Sequence, residues 1–175
     1  MMDIESLLSR RKRAMGPAYR LFYERPVHLV RGEGVWLYDN EGGRYLDCYN
    51  NVASVGHCHP RVVDALSRQA ATLNTHTRYM HENVVRLAER LGETLPGDLN
   101  VCMFVCTGTE ANDLAFRIAK TVTENEGAIV TEHAYHGNSI VVTELSTEEY
   151  PVSERPDYLA TVEPPNDYSG AYLAG

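Results

Sequence analysis

The residues best placed to do chemistry are Thr107-Gly108-Thr109, at the junction between an apolar run and an amphipathic one. Val101 to Cys106 reads as a strand, and Glu110 to Val122 reads as the helix that follows. A strand, a tight turn and a helix N-terminus together make a place for a phosphate. The first helical turn presents unused N–H groups, and the positive end of the helix dipole favours an anion. Gly108 allows close backbone approach, and the hydroxyls of Thr107 and Thr109 can donate. Thr107-x-x-Glu110 is also a capping box, which by itself would only start a helix. No Gly-Lys-Ser/Thr follows, so this is not a P-loop. Ala134-Tyr135-His136-Gly137 holds the equivalent place after a second apolar run, Ala128 to Thr131.

His57-Cys58-His59 invites a zinc reading, but its spacing matches no familiar ligand pair and no second cluster completes it. A structural role is the expectation there. Cys102 and Cys106, four apart on the expected buried strand, would share one face as small core residues. Cys48 completes the set of four cysteines, and the four suit a reduced, cytoplasmic setting.

The surrounding elements follow from periodicity and punctuation. Asp3 to Met15 predicts a helix ended by Gly16-Pro17. Val27 to Arg31, Val35 to Asp39 and Arg44 to Cys48 predict a small β-meander, broken at Gly32-Glu33-Gly34 and Asn40-Glu41-Gly42-Gly43. Trp36, Leu37 and Tyr38 of that meander should cover an apolar face. Pro60 suits the first residue of a helix running to about Leu73, with Val63, Leu66, Ala70 and Leu73 as its stripe. A further helix is expected over Glu82 to Leu95, with Val85, Ala88 and Leu91 inward. The helix from Glu110 carries Ala111, Leu114, Ala115, Ile118, Ala119 and Val122 along one side. Tyr158 to Val162 reads as a strand in an otherwise loop-like tail.

Strands that alternate with helices indicate an α/β fold with a mainly parallel sheet. In such sheets ligands collect at the C-terminal ends of strands, where both Thr107-Gly108-Thr109 and Ala134-Tyr135-His136-Gly137 fall. The length of 175 residues and the hydrophobic fraction of 43% suit a globular domain. A net charge of −8 argues against nucleic acid and anionic membrane surfaces as partners, and no apolar run is long enough to span a bilayer.

Taken together, four segments resemble the class III pyridoxal-phosphate aminotransferases. They are Gly32 to Asp47, Gly56-His57-Cys58-His59-Pro60, Thr107-Gly108-Thr109-Glu110-Ala111-Asn112 and Tyr135-His136-Gly137, in the family's order and spacing. Leu46 to Ala53, Leu73 to His81 and the tail from Glu154 to Gly170 are most similar to the subgroup of ethanolamine-phosphate and phosphohydroxylysine phospho-lyases. The resemblance implies the N-terminal part of a fold-type-I transferase. Residues 1–59 would belong to the small domain, and residues 60–175 to the first part of the cofactor-binding large domain. It gives Gly108 and Thr109 the cofactor phosphate, Tyr135 the face of the pyridine ring, and His136 a place beside it. Tyr49 and Asn51 would lie near the substrate, and Arg78 would meet a substrate phosphate or form a surface ion pair.

The family's chemistry also needs a lysine to bind the cofactor and move a proton. Neither Lys12 nor Lys120 has that context, so no catalytic residue is assigned in this chain. The resemblance therefore implies a longer parent, a cytoplasmic homodimer that passes an amino group from an amine or amino acid to a keto acid. The chain alone would be inactive. The alternatives are a pyridoxal-phosphate phospho-lyase acting on a phosphorylated amino alcohol, and a non-catalytic short product.

Overall fold

The computed structural model of the chain describes residues 4–49, 54–148, 150–166 and 168. It parts into two compact units, Met1–Met80 and His81–Gly175.

In the first unit, α1 spans Ile4–Met15, and Gly16 ends it at φ +70° with its N–H bonded to Lys12 O. Asp3, where the helix was expected to begin, lies outside the described residues. Strands β1 (Leu29–Glu33), β2 (Trp36–Asp39) and β3 (Arg44–Leu46) form the expected antiparallel meander in the order β1-β2-β3. Glu33 pairs with Trp36 across a two-residue turn, whose first residue, Gly34, sits at φ +55° as such hairpin turns require. The β2–β3 turn is organised by Asp39. Its Oδ1 accepts the Glu41 and Gly43 N–H groups at 2.9 and 2.6 Å, and its Oδ2 accepts the Tyr45 hydroxyl at 2.7 Å.

The segment Gly56-His57 crosses the first turn closely. Gly34 and His57 exchange both backbone hydrogen bonds, and a methyl on Gly56 would lie 2.9 Å from Gly34 Cα. His57 packs over Gly32 and places its Nε2 at 2.7 Å from Asp47 Oδ2. The His57 hydrogen bond, helped by the Tyr49 N–H, holds the Asp47 carboxyl below the usual carboxylate range. This histidine clasps the meander rather than a ligand. Helix α2 spans Pro60–Thr72, with Pro60 in the first turn as expected.

In the second unit, α3 covers Glu82–Gly92, shorter than the expected helix because Thr94 and Leu95 fold back in turns on Leu91 and Gly92. Helix α4 covers Gly108–Thr123 and α5 covers Ile140–Glu144. Strands β4 (Ala128–Thr131) and β5 (Leu159–Val162) pair in parallel, Ala128 with Leu159 and Thr131 with Val162. Val101 to Cys106 is not a strand: it runs without ladder partners, and Val101 is 87% exposed. A strand exists only through a neighbour's N–H and C=O groups, and no described strand lies alongside. Cys102 and Cys106 are accordingly not core residues; Cys102 is half-buried and Cys106 is exposed.

None of α2, α3 or α4 buries a residue, so the apolar stripes read from the sequence lack a covering layer among the described residues. What is buried there sits in one place: Gly137, Val142, Leu145, Ser146 and Thr147.

Candidate functional site

The N-terminus of α4 is built as the sequence suggested. Thr107 is the N-cap with extended backbone, and both halves of its capping box form. Its Oγ1 accepts the Glu110 N–H at 3.1 Å, while Glu110 Oε2 accepts the N–H groups of Thr107 and Cys106 at 3.0 and 2.7 Å. The amides of Gly108 and Thr109 keep no protein partner among the described residues, as expected of the first helical turn. Beyond its chain neighbours and the backbone of its own helical turn, no atom of the described residues lies within 4 Å of where a side chain on Gly108 would start. Free amides, a sixteen-residue helix dipole and open space thus coincide.

The loop after β4 closes one side of this place. His133, at φ +60°, turns the chain out of the strand. Gly137, at φ +133°, then lies directly on Thr109; a methyl there would be 2.5 Å from Thr109 Oγ1 and 2.8 Å from its Cα. Asn112 Nδ2 donates to His136 O at 2.8 Å, and Asp113 Oδ1 accepts the Ser139 hydroxyl at 2.8 Å. The structure therefore brings Gly108 and Thr109 together with the loop that carries Tyr135 and His136. Tyr135 is 57% exposed. His136 Nε2 is buried and has no hydrogen-bond partner among the described residues, a costly state that a polar ligand group would relieve.

Other residues singled out from the sequence lie in the first unit. Tyr49 stacks at a tilt on Phe22, with centroids 5.6 Å apart, and lines a cavity of about 470 Å³ shared with Tyr23, Leu29, Leu37 and Leu46. Arg78 is exposed, and its N–H donates to His76 Nδ1 at 3.2 Å. Asn51 lies outside the described residues. Cys58 is exposed, and among the described residues no three His, Cys, Asp or Glu side chains converge on a metal position. Lys120 is twelve residues beyond Gly108 on α4, about 18 Å along the axis, where it pairs with Glu126 at 3.0 Å.

Sequence reasoning overlooked the supports of this loop. Glu132, next after β4, takes both arms of the Arg155 guanidinium at 2.8 and 2.9 Å and the Thr161 hydroxyl at 2.6 Å. Arg155 and then Thr161 hold the Glu132 carboxyl down to about 2. Ser146 and Thr147 reach the loop from behind. Only the hydroxyl types were visible beforehand, because an irregular segment has no periodicity to read.

Residues 22–161 match the family model described as Aminotransferase class-III. An alanine–glyoxylate aminotransferase 2-like protein of Drosophila melanogaster is 45% identical over 93% of this chain and 34% of its own length. An ethanolamine-phosphate phospho-lyase homolog of Caenorhabditis elegans is 38% identical over 96% of this chain and 37% of its own length. A solved Arthrobacter phospholyase, in complex with phosphoethanolamine, superposes with a TM-score of 0.82 at 42% identity, covering 91% of this chain and 38% of that one. The chain thus spans a little over a third of the length of the proteins it matches. Its α/β fold is the fold that such transferases share, as the sequence resemblance implied.

Proposed function

The chain belongs to the class-III aminotransferase family, and from that premise we propose that the whole protein moves an amino group from an amine or amino acid to a keto acid with pyridoxal phosphate as cofactor. The observation that carries this reading is the meeting of the open α4 N-terminus at Gly108 and Thr109 with the Tyr135-His136-Gly137 loop. The residues fit the group. The unused amides of Gly108 and Thr109 and the Thr109 hydroxyl would bind its phosphate. The exposed ring of Tyr135 would pack on its pyridine face, and the unpartnered His136 Nε2 would hydrogen-bond a polar atom at its edge. Bound there, the cofactor would supply an electron-withdrawing ring that acidifies the substrate's α carbon. This chain's own residues bind and orient; the proton-moving lysine would come from elsewhere in the whole protein. We extend the proposal to a homodimer in the cytoplasm, where the four free thiols suit a reducing setting.

A second reading has specific support. Likeness at 42% identity to a phospholyase solved with phosphoethanolamine favours elimination of phosphate from a phosphorylated amino alcohol. With phosphoethanolamine, C–O cleavage and addition of water would yield acetaldehyde, ammonia and inorganic phosphate. Arg78, whose guanidinium forms no ion pair among the described residues, is the candidate for the substrate phosphate.

One assay separates the readings. The whole protein with pyridoxal phosphate is given phosphoethanolamine alone, then L-alanine with a keto acid. Phosphate release without a keto acid supports elimination. Amino transfer that depends on the keto acid supports the first reading. Neither reaction, despite bound cofactor, favours the non-catalytic alternative.

A further inference from the structure

Of the five buried residues described above, Gly137 belongs to the loop 134–137, and Ser146 and Thr147 hydrogen-bond the backbone of that loop. Ser146 is completely buried and Thr147 nearly so. Their hydroxyls do the same thing side by side. Ser146 Oγ accepts the His136 N–H at 2.9 Å and donates to Val142 O, in α5, at 2.9 Å. Thr147 Oγ1 accepts the Ala134 N–H at 2.8 Å and donates to Thr131 O, at the end of β4, at 3.0 Å. Two adjacent hydroxyls thus hold two alternate amides of the loop, and each is anchored to a regular element. Tyr135 lies between the two held amides.

Two carbonyls of the loop are held from the same segment of chain. Glu148 N–H donates to Ala134 O at 3.2 Å, and the Thr143 hydroxyl donates to Gly137 O at 3.3 Å. Arg155 reinforces the clamp from outside, with Nη2 at 3.5 Å from Thr147 O while it grips Glu132. An unpaired buried amide is costly, so a loop held this way has one low-energy backbone path.

We propose that Ser146 and Thr147 are positioning residues. Their paired hydroxyls set the backbone of residues 134–137 and thereby the placement of Tyr135 and His136 against the cofactor. The inference rests on the cofactor reading above for its functional half. Its structural half, that the hydroxyls fix the loop, stands by itself. Neither residue is among those proposed to hold the cofactor, so their effect on it would travel through the loop they bind. Such control of a site by groups behind it is a general property of well-held sites.

The test uses the whole protein and three variants: Thr147→Val, which keeps the shape and removes the hydroxyl, Thr147→Ser, which restores it, and Ser146→Ala. Two readouts are taken. Amide hydrogen exchange of a peptide covering residues 134–137 is measured without cofactor. Affinity for pyridoxal phosphate, and the visible circular dichroism band of the bound group, are measured by titration. Thr147→Val and Ser146→Ala should lose loop protection, bind pyridoxal phosphate about tenfold more weakly, the equivalent of one hydrogen bond, and alter the band. Thr147→Ser should match the wild type in both readouts. Wild-type binding and an unchanged band in Thr147→Val would overturn the positioning role. Failure of the wild type itself to bind pyridoxal phosphate would overturn the cofactor reading instead. The exchange data would then still decide the clamp, which is rejected if Thr147→Val leaves the loop protected.

Discussion

Adding a single methyl at each of two glycines should separate the proposed cofactor place from its protein wall. Gly108→Ala puts a Cβ at the first residue of α4, where among the described residues nothing beyond its chain neighbours and its own helical turn lies within 4 Å. The helix should accept it without loss, since alanine is a better helix former by up to about 1 kcal/mol. The new methyl would, however, occupy the place proposed for the phosphate and keep its oxygens from the two free amides. A charge-assisted hydrogen bond is worth roughly 1.5–3 kcal/mol, so losing one predicts cofactor affinity reduced about ten- to a hundredfold.

Gly137→Ala is the counterpart. Its methyl would meet Thr109 Oγ1 at 2.5 Å and Thr109 Cα at 2.8 Å, and its backbone sits at φ +133°. Overpacking costs about 1–3 kcal/mol and the strained backbone adds a similar amount, so this variant should be visibly less stable. Pyridoxal phosphate titration followed by absorbance, with thermal melting of the apoprotein alongside, reads both effects. The expected pattern is weak binding with intact stability for Gly108→Ala, and loss of both for Gly137→Ala. Wild-type affinity in a stable Gly108→Ala protein would refute the phosphate assignment.

Three further outcomes are expected. Thr107→Ala removes the N-cap of α4 and should lower stability by about 1 kcal/mol, measured by denaturant unfolding, with Thr107→Ser close to wild type. Glu132 is held down to about 2 from an ordinary 4.5, so the stability it contributes is complete above the ordinary value and drains away as pH falls from about 4.5 to about 2. Melting curves across that acid range should show the decline in the wild type and a flatter profile in Glu132→Gln. Finally, the 175-residue chain expressed alone should show no amino transfer and no phosphate release with added pyridoxal phosphate; turnover above a no-protein control would contradict the reading that neither Lys12 nor Lys120 is catalytic.

How much of this was legible in the sequence depends on how local its cause is. The capping box at Thr107 and Glu110, the start of α2 at Pro60 and the second meander turn at Asn40 to Gly43 are each settled by a few neighbouring residues and were read, while the first turn was placed early, at Gly32 to Gly34, because β1 runs through Gly32 and Glu33, and the part of Asp39 in the second turn was not seen. Val101 to Cys106 was misread because an apolar run states a wish for burial, while a strand also needs a partner. The stripes on α2, α3 and α4 likewise have helical spacing but no layer over them among the described residues. Helix α5 escaped notice because five residues, four of them β-branched, are too short for a period. At the site, the strand-end and helix-start signals located the α4 N-terminus at Gly108 and Thr109, and the loop of Tyr135 and His136 lies against it, whereas Ser146, Thr147 and Arg155 act through contacts that only the fold creates.

The two kinds of sheet in this chain also set an order of assembly on the ribosome. The meander joins strands through turns of a few residues, so its strand pairing needs no residue beyond Leu46. Strand β4 finds its parallel neighbour only after residues 132–158 have been made, and closing that longer loop is slower and entropically dearer. During that interval β4 travels with both edges open, so its nascent chain is most exposed to wrong pairing while the clamp segment around Ser146 is still being synthesised.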